Sequence, residues 1–156
     1  MTHFGGVSDH TRRHRPRTLL PHLHYLDAMP LAYPPFKSCP CGSGRSYGAC
    51  CGPAHDGTRP PATPETLMRA RYTAYALGNV PFVLKTWHAS TRPSHLDLND
   101  GTRYVGLRVH AAAGDTVDFT ASLKLPGGER YSFRERSHFE QVGGAWVYVQ
   151  GEEVEG

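Results

Sequence analysis

All four cysteines of this 156-residue chain lie between positions 39 and 51, as Cys39-x-Cys41 and, eight residues later, Cys50-Cys51. Disulfides in a small secreted domain staple distant stretches of chain, so they spread cysteines along the sequence. A tight cluster in a chain with no signal peptide reads as a metal site instead. The N-terminus has no apolar run of the signal-peptide kind, since Thr2 to Arg17 is polar and rich in His and Arg. No stretch approaches the roughly 18 apolar residues of a membrane span, and the expected location is the cytoplasm.

Zinc in a structural site takes four ligands in a tetrahedron, and four cysteines make a complete shell. Pro40 and Gly42 supply the sharp bend that lets a Cys-x-Cys pair reach one ion. Gly42-Ser43-Gly44 is expected to turn backbone N–H groups toward the thiolates and offset their charge, with Lys37 and Arg45 helping. Adjacent Cys50 and Cys51 need a turn or a helix end to aim at one centre, and His55 is the spare ligand if one of them does not. With four sulfurs bound, no open coordination position remains. The expected zinc is therefore structural, not hydrolytic. Reduced cysteines without metal, or a redox set, are the alternatives.

Charge and composition narrow the partners. The net charge is +3, but four Arg and two Asp in residues 1–28 account for +2 of it. The body of the chain is nearly neutral and lacks the broad basic footprint of a nucleic-acid binder. Residues 1–38 show no sustained period and hold His3, His10, His14, His22 and His24 among several prolines. A disordered or non-native extension is expected there, with Met29 as an alternative start. A His-rich metal-collecting tail is the other reading.

Residues 39–56 form the cysteine segment, followed by a Pro-rich bridge at 59–62. Thr63-Pro64-Glu65 is a helix start: Thr as N-cap, Pro at the first helical position, and an acid near the positive end of the dipole. The helix should run to about Leu77 and stop at Gly78. Asn79 caps a second, expected from Val80 to His88. From Tyr104 the apolar period becomes two. Val105, Leu107 and Val109 form one half-buried face, and Val117, Phe119, Ala121, Leu123 and Leu125 another. Strands Tyr131 to Phe139 and Ala145 to Gln150 follow, joined by Gly143-Gly144. Two helices before about four antiparallel strands argue an α+β fold over 63–151, with 152–156 as a tail.

The segment Cys39-Pro40-Cys41-Gly42-Ser43-Gly44-Arg45-Ser46-Tyr47, with Cys50-Cys51, resembles the SEC-C zinc motif. Three further stretches are similar to the YchJ family of uncharacterised bacterial proteins. They are the block from Leu67-Met68-Arg69-Ala70-Arg71-Tyr72 to Tyr75, then Lys85-Thr86-Trp87-His88, then Glu135-Arg136-Ser137-His138-Phe139 with Trp146-Val147-Tyr148. The resemblance covers about residues 39 to 151. It implies a zinc knuckle followed by a cone-shaped domain of the nuclear-transport-factor-two-like fold, in which helices close one side of a bent sheet and often leave a pocket. By analogy with the SecA translocase it also implies a protein partner on the knuckle. A second cysteine motif found near the C-terminus of some members has no counterpart here.

If the strand parity of Tyr131, Phe133 and Phe139 faces inward, Glu135 and Ser137 face inward too. A buried carboxylate needs a cation or a proton, and Arg69 or Arg71 on the first helix are the expected partners. The expected ligand pocket is Arg69, Arg71, Tyr72, Tyr75, Trp87, Glu135 and Ser137. Glu135, His88 and Tyr72 are the catalytic candidates if the chain is a small hydrolase or isomerase. Core packing of Trp87, Tyr72 and Tyr75, and a structural Arg–Glu pair, are the plainer readings. The leading expectation is a zinc-binding module joined to a cone that binds a partner or small ligand. Arg134, Arg136 and His138 share the strand's other face as a small positive stripe.

Overall fold

The computed structural model describes residues 33–155. The expectations for residues 1–32 lie outside the described residues. A 3-10 turn (Tyr47–Ala49) leads into a short helix α1 (Gly52–Asp56), and α2 (Pro64–Leu77) and α3 (Val80–Lys85) follow. Four strands complete the chain: β1 (Arg103–Ala113), β2 (Thr116–Lys124), β3 (Arg130–Val142) and β4 (Ala145–Glu153). They pair antiparallel in chain order as a curved open meander, and α2 packs against β1, β2 and β4. The architecture is the expected α+β arrangement of helices on an antiparallel sheet beside an N-terminal cysteine knuckle.

Local chemistry accounts for the helix limits. The Thr63 hydroxyl accepts from the Thr66 N–H at 3.1 Å. Gly78 ends α2 at φ 74, a conformation that suits a residue without Cβ. Asn79 caps α3 by accepting from the Phe82 N–H at 3.2 Å. Helix α3 stops at Lys85, short of the expected His88. The next residues pair with β4 instead: Tyr148 N–H donates to the Thr86 carbonyl at 2.8 Å, and His88 N–H to the Tyr148 carbonyl at 2.7 Å. That pairing sets Trp87 edge-on to Tyr148, with ring centroids 5.3 Å apart.

Two further boundaries and one strand face differ from expectation. Chain expected to be unstructured through Ser38 is held from Tyr33 onward. Tyr33 donates to the Ser38 carbonyl at 2.9 Å, and Lys37 and Pro35 carbonyls accept from Tyr47 and Gly48 at 2.8 Å. A register shift between Tyr104 and Gly106 turns Val105 outward, 39% exposed, although its parity matched Leu107 and Val109. Bulges break the period of two in this way. Tyr104 takes the inner position, its ring 5.7 Å from Tyr72 and 5.8 Å from Tyr75. Strand β4 continues through Glu153 instead of ending at Gln150, with Glu152 opposite Arg136 and 2.9 Å from the His138 Nε2.

The inner face of the sheet buries Val117, Phe119, Ala121 and Leu123 of β2, Phe133 and Phe139 of β3 and Tyr148 of β4. Gly151 on β4 lies against the Glu135 side chain: a Cβ there would overlap its carboxylate and press on its Cγ at 2.8 Å. Glu135 is fully buried and has no solvent to swing into. Gly151→Ala should therefore cost about 1–3 kcal/mol, the usual range for overpacking. Urea unfolding checks this, and a loss under about 0.5 kcal/mol would mean that the carboxylate has room.

Candidate metal centre

Cys50 closes the 3-10 turn and Cys51 is the N-cap of α1. Neighbours in sequence thus point at one centre because one ends a turn and the other begins a helix. Opposite them, Cys39 N–H donates to the Arg45 carbonyl at 2.9 Å, closing the loop that holds Cys39 and Cys41. Gly42 and Gly44 take φ of 78 and 84 in that loop, which a residue with a Cβ rarely does.

The four sulfurs lie within 4.8 Å of one another. Cys41 and Cys50 are 3.6 Å apart, and Cys50 and Cys51 4.0 Å. A tetrahedron with metal–sulfur bonds of ~2.3 Å has edges of ~3.8 Å, so these spacings fit one ion. Cys39, Cys41 and Cys51 are buried, and Cys50 is half-buried. The Cys41 thiol is pulled far below the usual range by hydrogen bonds from Cys39 and then Cys51. Cys51 is pushed far above it, first by its bond to Cys39 and then by that to Cys41. Four thiols this close compete for protons, and a cation bound among them would stand in for those protons.

Groups from three directions surround the sulfurs. The Ser43 hydroxyl is 3.1 Å from Cys50 Sγ while its oxygen accepts from the Arg45 N–H at 3.2 Å, so its hydrogen is free to go to sulfur. The Gly42 N–H, expected to face sulfur, donates to the Cys39 carbonyl at 3.1 Å, because the tight bend puts that oxygen nearer. Thr73 of α2, fully buried, donates from Oγ1 to Cys51 Sγ at 3.3 Å and lies 3.7 Å from Cys39 Sγ. Arg45 donates to the Ala49 carbonyl, and Lys37 Nζ sits over the Tyr33 ring.

His55, the spare ligand of the sequence reading, stands outside the cluster with both ring nitrogens engaged. Nε2 is 2.8 Å from the Ala70 carbonyl and Nδ1 is 2.7 Å from the Tyr47 hydroxyl. A carbonyl only accepts, so Nε2 carries the hydrogen and Nδ1 accepts from Tyr47. Burial lowers the His55 pKa and favours that neutral ring. Arg69, expected in the cone interior, turns the other way. It donates to the Cys41 carbonyl at 3.0 Å and pairs with Glu65 at 3.2 Å. Between the knuckle and α2 runs a groove of about 530 Å³, lined by Cys50, Arg45, Arg59, Glu65 and Arg69 among others.

The remaining candidates, His88 apart, are buried in the interior of the cone. Arg71 is 1% exposed, and it donates from Nη1 to the Val83 carbonyl and the Thr86 hydroxyl, both at 2.8 Å. Its guanidinium lies 4.5 Å from the Tyr148 ring centroid and 5.0 Å from that of Trp87. Burial lowers its pKa, and the fields of Tyr75, Tyr148 and Glu135 oppose that shift. Glu135 accepts from Ser137 Oγ at 2.7 Å and from the Tyr148 hydroxyl at 3.4 Å. Tyr72, Tyr75, Trp87 and Ser137 are all buried. Burial pushes Tyr72 and Tyr75 up to about 12. His88 pairs with Glu140 at 3.2 Å and accepts from Ser90 N–H at 3.0 Å. Glu135, His88 and Tyr72 thus engage different neighbours. On the outer face Arg134 grips Asp118 through two 2.9 Å bonds and Arg136 lies 3.7 Å from it, so the positive stripe is largely neutralised.

Residues 63–151 match the family model described as YchJ, middle NTF2-like domain. The chain belongs to the YchJ family. Residues 37–53 of this YchJ chain also match the SEC-C motif. Its relatives include a UPF0225 protein of Deinococcus radiodurans, 58% identical over 124 residues that span 80% of this chain and 95% of the relative. A UPF0225 protein of Streptomyces coelicolor is 46% identical over 125 residues, spanning 76% and 97%. Among solved structures, a SEC-C motif containing protein from Rhodopseudomonas palustris is similar with a TM-score of 0.67 and 37% identity, over 75% of this chain and 98% of that one. One from Psychrobacter arcticus, at 24% identity, shares the fold with a TM-score of 0.59, over 74% and 81%.

Thr73 was not singled out by sequence reasoning. It lies inside the YchJ block Leu67 to Tyr75, four residues after Arg69. The signal that it faces the cysteines is its helical phase with Arg69 and Ala70, two residues of α2 that also touch the knuckle.

Proposed function

We propose that this chain is a cytoplasmic zinc protein, in which Cys39, Cys41, Cys50 and Cys51 hold one structural zinc ion. The observation that carries this reading is the set of four sulfurs within 4.8 Å, three of them buried. An all-thiolate set of this spacing suits zinc, which has no redox chemistry of its own and accepts a closed tetrahedral shell. Bound there, zinc supplies folding free energy, and the cysteines leave no position for a substrate. Among the described residues no helix is long and apolar enough to cross a membrane, which agrees with this location.

The knuckle then acts as a rigid platform for a protein partner. Phe36, 81% exposed beside Lys37, and the groove with Arg45 and Arg59 between the knuckle and α2 support that role. The near-neutral body favours a protein over nucleic acid. What weighs against hydrolase or isomerase chemistry in the cone is burial, since Glu135 and Arg71 are 0% and 1% exposed. Native mass spectrometry of reduced protein purified from cells tests the metal assignment. One zinc per chain is expected, and metal-free, fully reduced protein would overturn it.

A further inference from the structure

Helix α2 is a wall shared by two interiors. Arg71, Tyr72 and Tyr75 belong to the cone side, and Arg71 reaches α3 through Val83 and Thr86. Arg69, Ala70 and Thr73 belong to the knuckle side. They reach the Cys41 carbonyl, the His55 ring and the Cys51 sulfur. The last contact is chemically distinct from the other two, because it ends on an atom of the cysteine cluster itself.

A threonine inside a helix ordinarily returns its hydroxyl hydrogen to the carbonyl four residues back. A hydroxyl has one hydrogen, and that of Thr73 goes to Cys51 Sγ at 3.3 Å. Thr73 is 0% exposed, so no water competes for it. A thiolate in that position accepts the bond, disperses charge into it and is held in one rotamer. Four thiolates around a divalent ion leave an excess of two negative charges, and Cys51, 3% exposed, has little solvent to share its part. Ser43 does for Cys50 from within the knuckle what Thr73 does for Cys51 from outside it.

We propose that Thr73 is a positioning residue of the metal site, contributed by the cone, and that metal binding and the seating of α2 are one linked equilibrium. This rests on the metal reading above. Linkage is reciprocal: whatever the seated helix adds to metal affinity, bound metal adds to the seating of the helix. The knuckle is then not an autonomous bead on the chain. Its affinity for metal reports whether the cone is folded, and metal loss loosens the helix that carries Arg71.

The test is a cobalt(II) titration of the reduced full chain, followed through sulfur-to-cobalt charge-transfer absorption, with zinc competition to set affinities. Thr73→Val keeps the shape and removes the hydroxyl, and Thr73→Ser keeps the hydroxyl. Loss of a group that orients a metal ligand commonly weakens binding about 10- to 100-fold. Thr73→Val should show that loss and a shifted charge-transfer band, and Thr73→Ser should stay within about threefold of wild type. Thr73→Ala serves if Thr73→Val does not fold. On wild type itself, stripping the metal should speed amide hydrogen exchange in residues 66–77. The proposal is overturned if Thr73→Val binds cobalt like wild type with the same spectrum. It is equally overturned if the variant lowers apo and loaded stability alike, or if exchange in α2 ignores the metal. A wild-type chain with no charge-transfer band instead sinks the metal reading itself.

Discussion

Cys41→Ser should empty the metal site and melt the knuckle, whereas Glu135→Gln should keep the full metal content. Cys41 is fully buried and lies 3.6 Å from Cys50. Serine in its place leaves a poor zinc donor and three crowded sulfurs. Zinc contributes roughly 10–16 kcal/mol to the folding of small zinc-finger peptides, comparable with the whole stability of a domain. Within itself, segment 33–57 has few other means of support: a 3-10 turn, a five-residue helix and a handful of backbone bonds. The expected readouts are loss of zinc by elemental analysis, rapid proteolysis within 33–57 and a lowered melting temperature for the remainder. Glu135 lies in the cone interior, so a charge change there acts on stability and not on the ion. A Glu135→Gln chain that lost its zinc would show that the two interiors are not separable in this way.

Arg71→Met should cost about 3–5 kcal/mol, the range for leaving a buried charge uncompensated. Arg71 is the largest of the fully buried side chains. It ties α2 to α3 through Val83 and Thr86, stacks on Tyr148 and Trp87, and shares the interior with Glu135, which is 0% exposed. Without the guanidinium, Glu135 either keeps an uncompensated charge or takes up a proton, and both destabilise the native state at neutral pH. Arg71→Met with Glu135→Gln should recover part of the loss, because the double variant buries no net charge. Urea unfolding of the four chains of this cycle measures the coupling. Additive single effects, or a loss below about 1 kcal/mol for Arg71→Met, would mean that the two side chains do not depend on each other.

The contrast between Arg69 and Arg71 shows where sequence reasoning stops. Both lie on a helix whose start and end were legible from Thr63, Pro64 and Gly78. Two positions apart on a helix is about 200°, so the two arginines had to face opposite ways. Nothing local says which of them enters the interior that holds Glu135. That depends on how α2 lies on the sheet, and the sheet assembles from residues thirty or more positions later. Val105 is a similar case: its alternation was read correctly, and a bulge set by pairing with β2 turned it outward.

The amino-acid sequence by itself determined the four ligand candidates, the two main helices with their caps, the glycine turns and the inward parity of Glu135 and Ser137. Each of these is written in residues close together along the chain, through backbone dihedrals, hydrogen bonds to neighbours and the period of apolar side chains. Only the tertiary structure decided that Thr73 meets the Cys51 sulfur, that His55 clamps the knuckle to Ala70, and that Arg69 points away from the cone. Those contacts join segments 15 to 28 residues apart, and their geometry follows from how one packed surface seats on another.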